Sequence, residues 1–308
     1  MTGNCIDASE PRENPRGSDD VIKAVAVRKV GPWIVAVLLL ALVAFVLRAL
    51  IATPNIRWSA IGHFQFSSAI IGGLLVTLEL TASCLALGIV LGVGLAVLRR
   101  SSNLVSRAFS WFYIWLFRGT PVVVQLIFWY NLGLLFPHIG LGDLRVSTNH
   151  LITPFTAAVL GLGLNEGAYM AEIVRAGIEA VDPGQTEAGL SLGLKRGAIL
   201  RLIVLPQAMR IIIPPTGNQL ISLLKTTSLV AFIAGGDLLT VAQNIYSRNF
   251  LVIELLIVVS IWYLAATSLA TAGQFFIERR FARGTVSDKT DRLDEIARWA
   301  RLRWMRSQ

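Results

Sequence analysis

The sequence predicts an all-α, polytopic membrane protein with about six transmembrane helices. Three observations carry that prediction. The chain has 308 residues, 54% apolar and only 15% charged, where soluble chains hold nearer a quarter charged. Several apolar runs reach about 20 residues, the length that crosses roughly 30 Å of hydrocarbon. Lys and Arg gather in every second connection between those runs, as the positive-inside rule expects. The formal charge of +9 is therefore read as a membrane signature, and no nucleic-acid partner is expected.

The elements follow in chain order. Residues 1–31 are polar and mixed in charge, the composition of a disordered tail. The first apolar run, 32–53, is too long for a signal-peptide core and no clear small-x-small site follows it, so it reads as an uncleaved helix. The remaining spans are expected at 70–98, 119–137, 153–175, 210–235 and 251–277. The second is longer than the bilayer needs, so it tilts or projects. The aromatic stretch NLVSRAFSWFYIWLF before the third suits the membrane interface, as do several of the tryptophans near span ends.

Orientation comes from the basic residues. Five Lys or Arg precede the first span. Arg99, Arg100, Arg107 and Arg118 follow the second; Arg175, Lys195, Arg196, Arg201 and Arg210 follow the fourth; nine close the chain. The alternate connections hold Arg57 (with Arg48 nearby), Arg145 and Arg248. Both termini and the loop 176–209 are thus expected in the cytoplasm. In the tail 281–308, Leu293, Ile296, Ala300 and Trp304 recur at helical spacing among five arginines, which reads equally as an amphipathic helix on an anionic leaflet or as a solvated tail. Cys5 and Cys84 fall in a polar tail and an apolar run, so neither a disulfide nor a metal site is expected. His63, His138 and His150 lie in or near outside connections, and no nucleophile–base pair accompanies them. No catalytic site is predicted.

The loop EAGLSLGLKRGAILRLIVLPQ, from Glu187 to Gln207, is too patterned for a simple turn. Asp182, Pro183 and Gln185 read as a cap, a first-turn proline and a capping-box partner. Ala188, Leu190, Leu192 and Leu194 supply apolar surface, and Gly193 fits the left-handed residue that ends a short helix. A second short helix is expected from about Lys195 to Val204, broken or kinked by Pro206. Periodicity alone allows two readings: a docking element for a cytoplasmic partner, or a helix resting on the protein's own membrane face.

Glu187-Ala188-Gly189, then Gly193, Ile203 and Leu205-Pro206 at their spacing, resemble the EAA loop of importer permeases of the ATP-binding-cassette (ABC) class. Gly189 departs from the usual alanine. GGLLVTLELTASCLALGIVLGVGLAVLRR, FRGTPVVVQLIFWYNLG, LNEGAYMAEIVRAGIEAV and PPTGNQLISLLKTTSLV resemble the polar amino-acid uptake branch. The resemblance covers roughly residues 68–280. It implies a five-helix core there and a coupling loop at 176–209; the extra N-terminal helix with its outside connection, 32–67, lies outside the resemblance, which implies nothing for it. It implies as partners ABC ATPase subunits, an external substrate-binding protein, a second permease copy or related permease, and an amino-acid substrate. In that reading Glu187 contacts the ATPase, Ala188, Leu190 and Leu192 fill its groove, Gly193 sets the bend and Pro206 fixes the exit. The chain has no G-x-x-x-x-G-K-[ST] phosphate loop, so ATP is expected on the partner subunit and no cofactor on this chain.

Ionisable groups in hydrocarbon are costly and need a reason. Glu166 and Glu172 fall in the fourth span, Lys225 in the fifth, Glu79 in the second and Glu254 near the outer start of the sixth. Asn165, Tyr169 and Glu172 share one helical face, and Asn218, Ser222 and Lys225 share another. Two polar faces on neighbouring spans mark Asn165, Glu166, Tyr169, Asn218, Ser222 and Lys225 as substrate-pathway candidates, against a structural reading in which they only hold the bundle together. Glu172 with Arg175, and Arg118 before Gly119-Thr120-Pro121, read as structural anchors or gate residues. Gly88, Gly92 and Gly94 read as a close helix approach. The competing function is an ion-gradient-driven secondary transporter, which needs no docking loop and often shows paired halves with broken helices.

Overall fold

The computed structural model describes residues 30–54, 56–140 and 145–281. The expected N-terminal tail and the amphipathic C-terminal stretch lie outside them, apart from Val30, Gly31 and Phe281. The chain divides into two units, up to Asn55 and from Ile56 onward. The first carries α1 (Val30–Ala52), with Trp33, Leu38, Leu40 and Phe45 all exposed, as suits a lone helix in lipid.

Among its described residues the second unit is built of helices and their connections, apart from a two-residue antiparallel ribbon, β1 (His138–Ile139) with β2 (Val146–Ser147), that pairs His138 with Ser147. A short helix that the sequence reading did not separate, α2 (Trp58–Gln65), precedes the first long one. It is pinned to the last helix: the Arg57 backbone N–H donates to the buried Glu254 carboxylate at 3.0 Å, and Trp262 Nε1 donates to the Gln65 carbonyl at 2.8 Å. The first of these bonds gives the buried Glu254 carboxylate its partner. Exposed Glu79 faces away from the core.

Helix α3 (Ser68–Arg99) starts where the Ser67 hydroxyl accepts from Ile70 N–H. Its 32 residues run about 48 Å. Next, α4 (Leu104–Gly119) is capped by Asn103, and α5 (Val122–Tyr130) starts after Pro121. The expected third span, 119–137, is not one helix. The chain bends by 101° between α4 and α5, and Pro121 stands at the N-cap, not inside the first turn. Gln125 holds the corner: its Nε2 donates to the Phe117 carbonyl at 2.9 Å, the Thr120 carbonyl at 3.1 Å and the Thr120 hydroxyl at 2.7 Å. Replacing Gln125 with Leu should loosen this corner and lower the detergent unfolding midpoint by several degrees, because the carbonyls it serves are left short of donors. An unchanged melting curve would remove the corner's assigned anchor.

Past α6 (Leu132–Leu135) and α7 (Thr148–Leu151), α8 (Pro154–Glu179) is the central helix. Thr153 caps it, and Pro154 takes the first turn, where no N–H is needed. It packs along α3 so closely that side chains are excluded. A Cβ on Gly88 would sit 2.6 Å from Glu166 Cγ, and one on Gly92 would meet the Met170 side chain and lie 2.8 Å from the Met170 backbone carbon. Gly94, grouped with these two in the sequence, faces open space.

Then come α9 (Pro183–Ser191), α10 (Arg196–Ile199), a π-helical turn (Leu200–Val204) and α11 (Leu205–Thr226). The second helical stretch expected from about Lys195 to Val204 forms, as α10 and the π turn, but Pro206 does not end it: α10, the π turn, α11 and a 3-10 end form one rod from Arg196 to Ile233. Pro206 lacks the N–H that the Leu202 carbonyl would use in an α-helix. A π turn answers by reaching one residue further, as the Leu205 N–H does to the Leu200 carbonyl. The described residues end with α12 (Leu238–Asn249), capped by Asp237, and α13 (Val252–Phe281).

Among the described residues, α3, the Arg196–Ile233 rod and α13 are long and apolar enough to cross a membrane, and the α4–α5 pair makes a fourth if taken as one span. Helix α8 has the length, 26 residues, but its polar residues lower its hydropathy. Those polar residues make the site.

Candidate functional site

Two features stand out. One is a polar cavity inside the bundle and the other is an exposed helix beside it.

The cavity holds about 220 Å³ between α5, α8 and α11, and Asn165, Glu166, Tyr169, Gln219, Ser222 and Thr226 supply its polar lining. Four of the six expected pathway residues are therefore brought together. Glu166 is only 6% exposed; Gln219 Nε2 donates to its two oxygens at 3.2 and 3.5 Å. Asn165 Nδ2 donates to the Phe117 carbonyl at 2.6 Å, the same oxygen that Gln125 uses, so the α4–α5 corner is tied to the cavity wall. Arg118 lies over the Tyr169 ring, its guanidinium carbon 5.1 Å from the centroid, a cation–π distance.

The other two pathway candidates do not line it. Asn218 instead accepts from Gln274 of α13 at 3.1 Å, and Lys225 is exposed outside the cavity lining. The fifth-span face toward α8 is Gln219, Ser222 and Thr226, at i, i+3 and i+7. That spacing is as helical as the one chosen from the sequence, and it was the signal for Gln219. Glu172 leaves the Asn165–Tyr169 face as well. It pairs with Arg175 at 2.7 Å, and Arg175 reaches Glu179 at 2.6 Å, so this is a ladder along one helix and it crosses no gap between helices.

The exposed helix is α9. Asp182 caps it, accepting from Gly184 N–H at 2.7 Å. Gln185 does not complete a capping box; its side chain faces Gln207, with Nε2 to Oε1 at 3.5 Å. Helix α9 turns two faces in two directions. Gly189 is buried, and a Cβ there would stand 2.9 Å from Ile199; half-buried Leu194 and Ile203 join Ile199, Val204 and Ala208 in the cluster beneath. Glu187, Ala188, Leu190 and Leu192 point outward, Leu192 at 80% exposure and Leu190 at 47%. So Gly189 and Ile203 fasten α9 to the protein, while the other four form a free apolar surface edged by Glu187. Gly193 adopts φ +76°, the left-handed conformation expected of it. Leu205 and Pro206 are exposed at the head of α11. A hollow of about 620 Å³ opens beside α9, edged by Arg100, Glu179, Glu187 and Arg196.

A helical membrane bundle with a small polar cavity and a short, largely exposed helix beside it has the features of a membrane permease. Residues 88–283 match the family described as binding-protein-dependent transport system inner membrane component, and the chain belongs to that family. It is 43% identical over 273 residues to the arginine transport system permease protein ArgU of Corynebacterium glutamicum, covering 88% of this chain and 86% of that protein. It is 36% identical over 227 residues to the glutamine transport system permease protein GlnP of Escherichia coli K12, covering 73% of this chain and 96% of that protein. The crystal structure of an amino acid ABC transporter with histidines matches at a TM-score of 0.63 and 35% identity, over 71% of this chain and 97% of that one. The MetNI methionine ABC transporter, at 18% identity and a TM-score of 0.54, shares the fold. The chain is thus a permease subunit of an ABC importer and not a self-sufficient secondary transporter.

Proposed function

We propose that this permease carries a polar amino acid across the bacterial inner membrane, driven by ABC ATPase subunits that dock on α9 and supplied by an external binding protein. Both termini and α9 face the cytoplasm in this reading, as the distribution of Lys and Arg suggests. The ATPases of the class act in pairs, so a second permease, identical or related, completes the pathway. The single observation that carries the docking role is the outward face of α9: leucines this exposed on a short helix beside a membrane call for a cover. ATP binds the partner subunit, and this chain holds no cofactor.

The cavity supports the substrate class. An amino acid carries a cation and an anion, and Glu166 offers a carboxylate among amide and hydroxyl groups. Arginine and glutamine are the first substrates to test, since those are the amino acids named for the relatives above. Helix α8 positions Asn165, Glu166 and Tyr169, and Arg118 fixes the Tyr169 ring. Glu172 and Arg175 brace the inner end of the same helix.

Glu166→Gln keeps the shape and one acceptor oxygen for Gln219 but removes the charge and the second acceptor. Losing one charge-assisted hydrogen bond costs about 1.5–3 kcal/mol, or roughly ten- to a hundredfold in affinity. Uptake of radiolabelled arginine or glutamine by the assembled importer should fall accordingly, with expression and ATPase assembly unchanged. Wild-type uptake at limiting substrate would remove Glu166 from the pathway.

A further inference from the structure

One polar tether between α9 and α11 belongs to neither the docking face nor the cavity. Gln207 follows Leu205-Pro206 directly. Its Nε2 donates to the Ile203 carbonyl in the π turn at 2.9 Å. The same nitrogen faces Gln185 Oε1 on α9 at 3.5 Å, the outer limit of a hydrogen bond. An amide nitrogen carries two hydrogens, so one side chain holds both partners at once.

Its surroundings make that placement informative. Gly189 meets Ile199 and Ile203 through carbon alone, and such contacts tolerate small displacements with little directional preference. A hydrogen bond is directional and weakens steeply with misalignment. The π turn is itself a weak point of the rod, since π turns are rare and recur at functional sites. Of the two tethers, the firm one grips the π turn and the slack one reaches the helix that a partner would push. Gln207 shares α11 with Gln219, Ser222 and Thr226 of the cavity.

We propose that Gln207 is a positioning residue that sets the register of the docking helix on α11, and so passes displacement of α9 to the cavity wall. The inference rests on the importer reading above. When the ATPases close, α9 moves toward α11, the contact of Gln185 with Gln207 shortens, and the π turn moves with it because Gln207 holds the Ile203 carbonyl. Without the tether, α9 slides over Ile199 and Ile203, and hydrolysis proceeds with α11 left behind.

The test uses the full transporter, with its ATPase and binding protein, in liposomes supplied with radiolabelled arginine and glutamine. Amino acid moved per ATP hydrolysed is measured for wild type, Gln207→Leu, Gln185→Leu, Gln207→Glu and the pair Gln207→Lys with Gln185→Glu. Gln207→Leu should lower the ratio by about three- to tenfold, the scale of one lost hydrogen bond, with assembly and basal hydrolysis retained. Gln185→Leu should lower it as much, because the link from Gln207 to α9 is then lost while the bond to Ile203 stays within the rod. Gln207→Glu should resemble Gln207→Leu, because a carboxylate cannot donate to the Ile203 carbonyl, and the pair Gln207→Lys with Gln185→Glu should restore coupling, because the ammonium can donate to both partners, which a merely structural role for Gln207 would not produce. A wild-type ratio in Gln207→Leu, or no recovery in the pair, overturns the proposal. A wild-type complex whose hydrolysis the loaded binding protein does not stimulate overturns the importer reading itself, and the proposal with it.

Discussion

Gly193→Asp is expected to abolish ATPase association while the chain still inserts into the membrane. The substitution has two separable costs. Gly193 sits at φ +76° with nothing within 4 Å of where a Cβ would be, so any side chain fits but the backbone is strained, by about 1–2 kcal/mol. Strain alone weakens docking by roughly tenfold. The carboxylate adds an unpaired charge beside exposed Leu190 and Leu192, on a face that docking would desolvate. An uncompensated buried charge costs about 3–5 kcal/mol, more than a hundredfold in affinity. Three variants separate the two costs. Gly193→Asn tolerates the left-handed conformation without charge and should keep most of the association; Gly193→Ala should lose part of it; Gly193→Asp should lose nearly all. Co-purification of a tagged chain with its ATPase from native membranes measures this order. Equal recovery in all three would show that α9 does not enter the ATPase interface. Glu187→Lys should also uncouple uptake, by reversing the charge at the edge of that face.

The second large effect lies inside the bundle. Gly92→Leu should prevent the chain from accumulating, and Gly92→Ala should lower its unfolding midpoint by several degrees. The reason is what stands opposite. A Cβ at position 92 would lie 2.8 Å from the Met170 backbone carbon and 2.9 Å from the Ala171 nitrogen. A side chain could turn aside, but backbone cannot, so α3 and α8 must move apart along their whole seam. Overpacking of this kind costs about 1–3 kcal/mol for small insertions and more for a leucine. Gly94→Ala is the control: it faces open space and replaces the weaker helix former with the stronger, so it should leave the midpoint unchanged or raise it. Fluorescence-detected thermal unfolding in detergent decides between them. If the two alanine variants unfold alike, the seam is looser than its geometry implies.

Much of the site was legible because its signals are local. Asp182-Pro183 starts a helix and Gly193 ends one through backbone chemistry confined to a few residues, and the motif spacing from Glu187 to Pro206 is a matter of sequence distance. Clustering of Asn165, Glu166 and Tyr169 at a cavity followed from polar residues in an apolar run. The two largest misses are non-local. Whether α11 turns Gln219 or Asn218 toward α8 depends on how the two helices meet, at Gly177 against Ile212 and at Glu166 against Gln219. Two helical faces one residue apart are equally periodic, so spacing could not choose. The α4–α5 corner was hidden because Pro121 reads as the clean start of a span; the fold reveals it through Gln125 reaching back to Phe117. The second loop helix runs on into the rod because the proline expected to break it is accommodated by a π turn.

That corner has a consequence for how the protein is made. Helix α5 has nine residues, about 14 Å, less than half of the hydrocarbon thickness. A segment this short is not held in a bilayer by partitioning alone. Leu126 of α5 is fully buried, against Gly161 of α8, where a Cβ would lie 3.2 Å from the Leu126 Cα. The ribosome delivers α5 before α8 exists. The nascent chain must therefore wait, with α5 unseated, until the translation machinery has released roughly thirty further residues and α8 can capture it. The seat of α5 is thus completed by a segment that is made after it, Gly161 of α8 against Leu126.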